Sequence, residues 1–141
     1  MSLNKKILSS GLEDYLEAIY IAHINNKPLK GAELARQLGI SRASVSEALT
    51  KLVAKDLIKY NSYEAISITQ KGIEEAKTVY SKHHTLEQFF EKILHIEKSE
   101  ASRNACEIEH IISQNVLEEL AKFTKYCENH KDFITTYHKE K

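Results

Sequence analysis

The 141-residue chain has one proline, four glycines, two cysteines and no tryptophan. So few breakers and turn formers exclude a low-complexity or turn-dominated chain and favour helices. No apolar run approaches the ~18 residues of a membrane span, and Lys5 and Lys6 precede no apolar signal segment, so a soluble cytoplasmic protein is expected. No glycine-rich phosphate loop and no nucleophile–base arrangement stands out, so enzyme activity is not expected. Net charge is lacking too: 20 Lys/Arg against 20 Asp/Glu. That zero is the sum of two unlike halves. Residues 1–72 carry 10 basic and 7 acidic residues, whereas residues 73–141 carry 10 and 13. A basic first part and an acidic second part fit a DNA-facing module joined to one that attracts cations or a partner. The expected domains are 1–72 and 73–141.

Helical periodicity places a first helix from about 11 to 25, capped by Ser9 or Ser10, with Leu12, Leu16, Ile19 and Tyr20 apolar. A short helix, Gly31 to Leu38, stops at Gly39, and Ser41 caps the next, whose inward face is Val45, Ala48, Leu49, Leu52 and Val53. Ile58, Tyr60, Ala65, Ile66 and Ile68 read as a small β-hairpin. Thr69 caps a long helix reaching about Leu94. After a break at 95–99, one last long helix is expected from about 100 to 128, and the final dozen residues are expected to fray. On that single helix Cys106 and Cys127 would stand roughly 30 Å apart, too far to pair.

Short helix, glycine turn, Ser-capped helix and β-wing, in that order, predict a winged helix-turn-helix followed by an all-helical domain, a mostly α fold. Ala35 is small where two helices cross, and Val45 and Leu49 pack the second helix on the first. Ser41, Arg42, Ala43, Ser44 and Ser46 form the exposed start of that second helix, and their short polar groups can enter a major groove. On the wing, Lys59, Asn61 and Tyr63 can reach phosphates or the neighbouring minor groove.

A second set of polar residues recurs at helical spacing. Asp14 and Glu17 are i and i+3, His83 and Glu87 are i and i+4, and Cys106, Glu109 and His110 are i, i+3 and i+4. Singly, each is most simply a solvated edge or core filler. Together they supply carboxylate, imidazole and thiolate, which suits Mn²⁺, Fe²⁺, Co²⁺ or Zn²⁺ and is too soft for Ca²⁺ or Mg²⁺.

Four segments carry a resemblance: Glu13–Tyr20, the helix-turn-helix, Lys82–Phe89 and Ala105–His110. In order and spacing they resemble the diphtheria toxin repressor family, which includes the manganese transport regulators, over residues from about 10 to 128. The resemblance implies a homodimer, joined through the C-terminal helices, that binds operator DNA when loaded with Mn²⁺ or Fe²⁺, with Zn²⁺ or Co²⁺ possible in vitro. It implies metal ligands at Asp14, Glu17, His83, Glu109 and His110, as in the manganese subgroup. Cys106 stands where that subgroup has a carboxylate and matches the iron-type relatives, which in turn have a methionine at the position of Asp14. His83 and Glu87 match an ancillary site whose remaining histidine falls at Ser102. No SH3-like third domain follows, so the short two-domain form is expected. Apolar residues in excess of what a few helices can bury, among them Leu86, Phe89, Phe90, Ile93, Ile108, Ile111, Ile112, Val116 and Leu120, also predict a symmetric partner. Two other readings compete. One is a winged-helix factor sensing a small organic ligand, or an oxidant through Cys106. The other is a di-metal helical enzyme or store, but the paired Glu-x-x-His repeats of such sites are missing.

Overall fold

The computed structural model describes residues 8–61 and 64–140, which divide between Thr78 and Val79 into two compact units. The expected boundary at 72/73 falls in the same helix as this division, α4 (Gln70–Gln88).

In the first unit, α1 (Ser10–Ile24) starts where Ser9 Oγ accepts a hydrogen bond from the Leu12 amide. Helix α2 (Gly31–Leu38) ends at Gly39, whose φ of 65° is the left-handed conformation that a residue without a Cβ adopts at least cost. Ser41 then caps α3 (Arg42–Ala54) by accepting from the Ser44 amide. Leu16, Leu34, Leu49, Leu52 and Leu57 are completely buried in one core with Ile19, Tyr20, Val45 and Ile58. Each such side chain contributes roughly 1.5–3 kcal/mol relative to exposure. Val53 is a correction: expected to face inward, it is 40% exposed. It lies about 100° around the helix from Leu52, off the stripe that meets the core.

The wing is short. Strands β1 (Ile58–Lys59) and β2 (Ser67–Ile68) pair antiparallel, Ile58 opposite Ile68 and Lys59 opposite Ser67. The Ile66 amide donates to the Leu29 carbonyl at 2.8 Å, tying the wing to the loop before α2. Tyr63 lies outside the described residues. Helix α4 (Gln70–Gln88) begins at Thr69, whose Oγ1 accepts from the Gly72 amide.

In the second unit α4 widens into a π-helical turn, Phe89–Ile93. The expected single last helix is instead two, α5 (Lys98–Ile108) and α6 (Gln114–Asn129). The break arises because Ser113 Oγ accepts from the Val116 amide, a cap lodged inside an apolar stretch. The straight-helix separation of the cysteines therefore does not apply. Neither forms a disulfide among the described residues, and Cys106 is exposed whereas Cys127 is buried. Glu97 caps α5 by accepting from the Glu100 amide, and hydrogen bonds from Ser99, its hydroxyl first, hold the Glu97 carboxyl below the ordinary carboxylate range. The final residues are not frayed but form α7 (Lys131–Lys139). Phe133, Ile134 and Tyr137 share a hollow with Phe89, Ile93 and Phe123, and His138 Nε2 lies 2.8 Å from the Ile93 carbonyl oxygen. That apolar face compensates for an otherwise polar segment.

The core of this unit is small: Leu86, Ala105 and Leu117, with Phe90, Ile108, Ile112 and Leu120 partly buried around it. Ile111 is 82% and Val116 49% exposed. Among the described residues, no helix is long and apolar enough to cross a membrane.

Candidate functional site

Helix α4 presents His83 and Glu87 one turn apart, and the end of α5 presents Glu109 and His110. The geometry brings these four together. His83 Nδ1 is 2.9 Å from Glu109 Oε2, and its Nε2 is 2.7 Å from Glu87 Oε2. His110 Nε2 is 3.7 Å from Glu109 Oε1. Cys106, one turn before Glu109 on α5, is exposed, and its Sγ lies within 4.8 Å of a Glu109 carboxylate oxygen. In the other unit Asp14 and Glu17 occupy one side of α1, both half-buried.

Glu109 is the electrostatic anomaly of the set. The residue is 1% exposed, and its Oε1 is buried without a hydrogen-bond partner. It sits at the C-cap of α5, where unsatisfied carbonyls make the helix end negative and favour a cation. A desolvated carboxylate at that end is costly unless positive charge accompanies it. Two imidazoles, a thiol and two carboxylates grouped here, one carboxylate oxygen lacking a hydrogen bond among the described residues, fit a borderline divalent metal ion by donor chemistry. Ser102, half-buried on α5, offers no imidazole to the pair His83–Glu87.

The DNA-facing candidates of the first unit are laid out as a surface. Ser41, Arg42, Ala43, Ser44 and Ser46 are all exposed at the start of α3, as are Lys59 and Asn61 on the wing. Arg42 and Ser46 line a hollow of about 230 Å³ with Lys30, Gly31 and Tyr60. Lys30 and Tyr60 were not singled out from the sequence. Their signal is positional: Lys30 immediately precedes the α2 N-terminus, where amides and a basic side chain face the same space.

Comparison with known proteins covers both units. Residues 7–66 match the family described as "Iron dependent repressor, N-terminal DNA binding domain". Residues 69–132 match "Iron dependent repressor, metal binding and dimerisation domain". An uncharacterized HTH-type transcriptional regulator of Methanocaldococcus jannaschii is 40% identical over 82% of this chain and 94% of its own length. The HTH-type transcriptional regulator MntR of Listeria monocytogenes is 27% identical over 89% of this chain and 87% of its own. Among solved structures, the manganese regulator SloR is 30% identical with a TM-score of 0.73, covering 82% of this chain and 54% of that one. ScaR with bound Zn²⁺ is 26% identical with a TM-score of 0.68, at the same coverage. The chain thus spans about half the length of these solved relatives.

Proposed function

The chain belongs to the iron-dependent repressor family, that of the diphtheria toxin repressor, and from that premise we propose that it is a metal-dependent transcriptional repressor. It acts in the cytoplasm as a homodimer that binds operator DNA when loaded with Mn²⁺ or Fe²⁺ and controls metal-uptake genes. DNA binding belongs to residues 1–72, and metal binding and dimerisation through the C-terminal helices to residues 73–141. The observation that carries the reading is Glu109, a buried carboxylate with an unbonded oxygen beside two histidines.

The residues that hold the ion are Asp14 and Glu17 of α1, His83 of α4, and Cys106, Glu109 and His110 at the end of α5. Glu87, bonded to the outer ring nitrogen of His83, fixes the direction of that imidazole and completes the set. A bound dication supplies the positive charge that four carboxylates and a desolvated helix end lack. The chain's own part is to offer these groups from helices α1, α4 and α5, so that the ion favours the conformation that satisfies it best. The exposed start of α3 enters the major groove, with Arg42 toward base edges and Lys59 toward phosphate. The reading of a winged-helix sensor of organic ligands or oxidants draws no support from solved relatives that are a manganese regulator, SloR, and ScaR with bound Zn²⁺.

The test is operator binding titrated with Mn²⁺, Fe²⁺, Co²⁺ and Zn²⁺ under anaerobic, reducing conditions. A steep rise in affinity on adding metal is expected. Equal affinity for chelator-treated and metal-loaded protein overturns the reading.

A further inference from the structure

Three consecutive carbonyls just past α3, the recognition helix of the proposed reading, are all taken by Thr69 and the first turn of α4. Lys71 Nζ donates to the Lys55 carbonyl at 3.1 Å. Thr69 Oγ1 donates to the Asp56 carbonyl at 2.6 Å, and the Thr69 amide donates to the Leu57 carbonyl at 3.0 Å. These carbonyls belong to the three residues that follow Ala54, the last of α3, and lead to β1. The chain turns there through Asp56, at a positive φ of 60°. The Asp56 and Leu57 amides bond back to the Val53 and Leu52 carbonyls and cap α3, and α4 in turn holds the capping residues. The same Thr69 hydroxyl accepts from the Gly72 amide, closing the first turn of α4.

Contact at this point leaves no slack. A Cβ on Gly72 would stand 2.0 Å from the Leu57 carbonyl oxygen and 2.8 Å from a side-chain carbon of Ile68. Leu57 itself is completely buried. Helix α4 meets the segment that follows α3 backbone to backbone at Leu57, and a close-packed contact of that kind transmits displacement instead of absorbing it. From Gly72, α4 continues without interruption to His83 and Glu87, eleven residues or about 16 Å along the axis at ~1.5 Å per residue.

We infer that Thr69, Lys71 and Gly72 form the joint through which metal binding at His83 and Glu87 fixes the recognition helix. They are positioning residues for DNA binding, touching neither metal nor operator. The inference rests on the metal-dependent repressor reading. The hydroxyl of Thr69 is its centre, because it bonds the capping turn after α3 and closes the turn of α4 at once.

The experiment measures operator affinity of the full chain with Mn²⁺ and with chelator, and takes the ratio. Thr69→Val removes the hydroxyl at nearly constant volume, and Thr69→Ser restores it. Manganese affinity without DNA, followed by electron paramagnetic resonance, and thermal melting are measured in parallel. Against a wild-type ratio in the typical range of roughly 5–150, Thr69→Val is expected to lower the ratio at least ~3-fold with manganese affinity unchanged, and Thr69→Ser to keep it. Lys71→Met provides a second route should Thr69→Val fold poorly, and it too lowers the ratio. An undiminished ratio in well-folded Thr69→Val overturns the joint, as does Lys71→Met weakening binding equally with and without metal. A wild type with no ratio at all overturns the repressor reading, and the joint falls with it. Amide exchange adds a readout independent of DNA: Mn²⁺ slows exchange of the Leu57 amide, bonded to Leu52, in wild type and not in Thr69→Val.

Discussion

His83 and Glu109 stand 26 residues apart in the chain, and His83 Nδ1 stands 2.9 Å from Glu109 Oε2. The pair joins α4 to the end of α5 through a carboxylate that has no access to water. The other oxygen of that carboxylate has no hydrogen-bond donor. Two groups this close, one of them left half-satisfied, mark a place where a ligand with positive charge gains more than it does at an exposed carboxylate.

Glu109→Gln keeps the volume and removes the charge. It is expected to abolish metal-stimulated operator binding and leave the dimer intact by sedimentation. A ligand that binds only the folded state stabilises by about 2.7 kcal/mol at 100 times its Kd. Wild type should therefore melt later with Mn²⁺ and Glu109→Gln should not. A full manganese shift in the variant would remove Glu109 from the site.

On the DNA side, Arg42→Ala and Lys59→Ala should weaken operator binding without changing metal affinity, since both side chains are exposed on the first unit. Loss of a base contact by Arg42 relaxes sequence preference by ~1–3 kcal/mol, whereas loss of a phosphate contact by Lys59 lowers the salt slope by about one. Binding curves at several salt concentrations separate the two. Unchanged affinity in both variants would move the DNA surface elsewhere.

Cys106 is the exposed thiol and Cys127 the buried one, and burial pushes the Cys127 thiol up from its ordinary range. The thiolate is the reactive form, so alkylation of the native chain should modify Cys106 first and Cys127 only on unfolding. Saturating Mn²⁺ or Co²⁺ is expected to slow modification of Cys106. Cys106→Glu should shift activation toward Mn²⁺ and remove the sulfur-to-metal absorption expected of the Co²⁺-loaded wild type. Absence of that band in wild type would take the sulfur out of the ligand set.

Gly72→Ala tests the close approach to Leu57 by the sign of its effect. In an ordinary helix interior, replacing glycine with alanine stabilises by roughly 0.5–1 kcal/mol. Here the added methyl meets the Leu57 oxygen at 2.0 Å, and overpacking costs typically about 1–3 kcal/mol. Urea denaturation should show a lower midpoint. A higher one would mean that the backbone there yields freely.

The starts of the first three helices and the stop of the second were legible to within a residue because they are written in side chains: Ser9, Gly39 and Ser41 each stop or start a helix by a local bond or a permitted φ. The α5–α6 break was not, although Ser113 does the same job, because Ile111, Ile112 and Val116 around it sustain a helical pattern. Helix α7 was missed because its hold is tertiary, through Phe133, Tyr137 and His138, while its composition is polar. The pair His83–Glu87 could be read from i, i+4 spacing. The contact of His83 with Glu109, and the burial of Glu109 Oε1 without a hydrogen bond among the described residues, depend on how α4 and α5 pack, which no local spacing encodes.

The π turn at Phe89–Ile93 has a bearing on how insertions and deletions are tolerated here. A wide turn of this kind takes one residue more than an α-turn, so it is where a helix of unchanged length in space can lose or gain one residue of sequence. A one-residue deletion at this point would convert it to regular α-helix and leave the register of His83 and Glu87 upstream untouched. The same deletion placed between Gly72 and His83 would rotate the ligands by about 100° around the axis. Length variation in this helix is therefore cheap after Gln88 and ruinous before it.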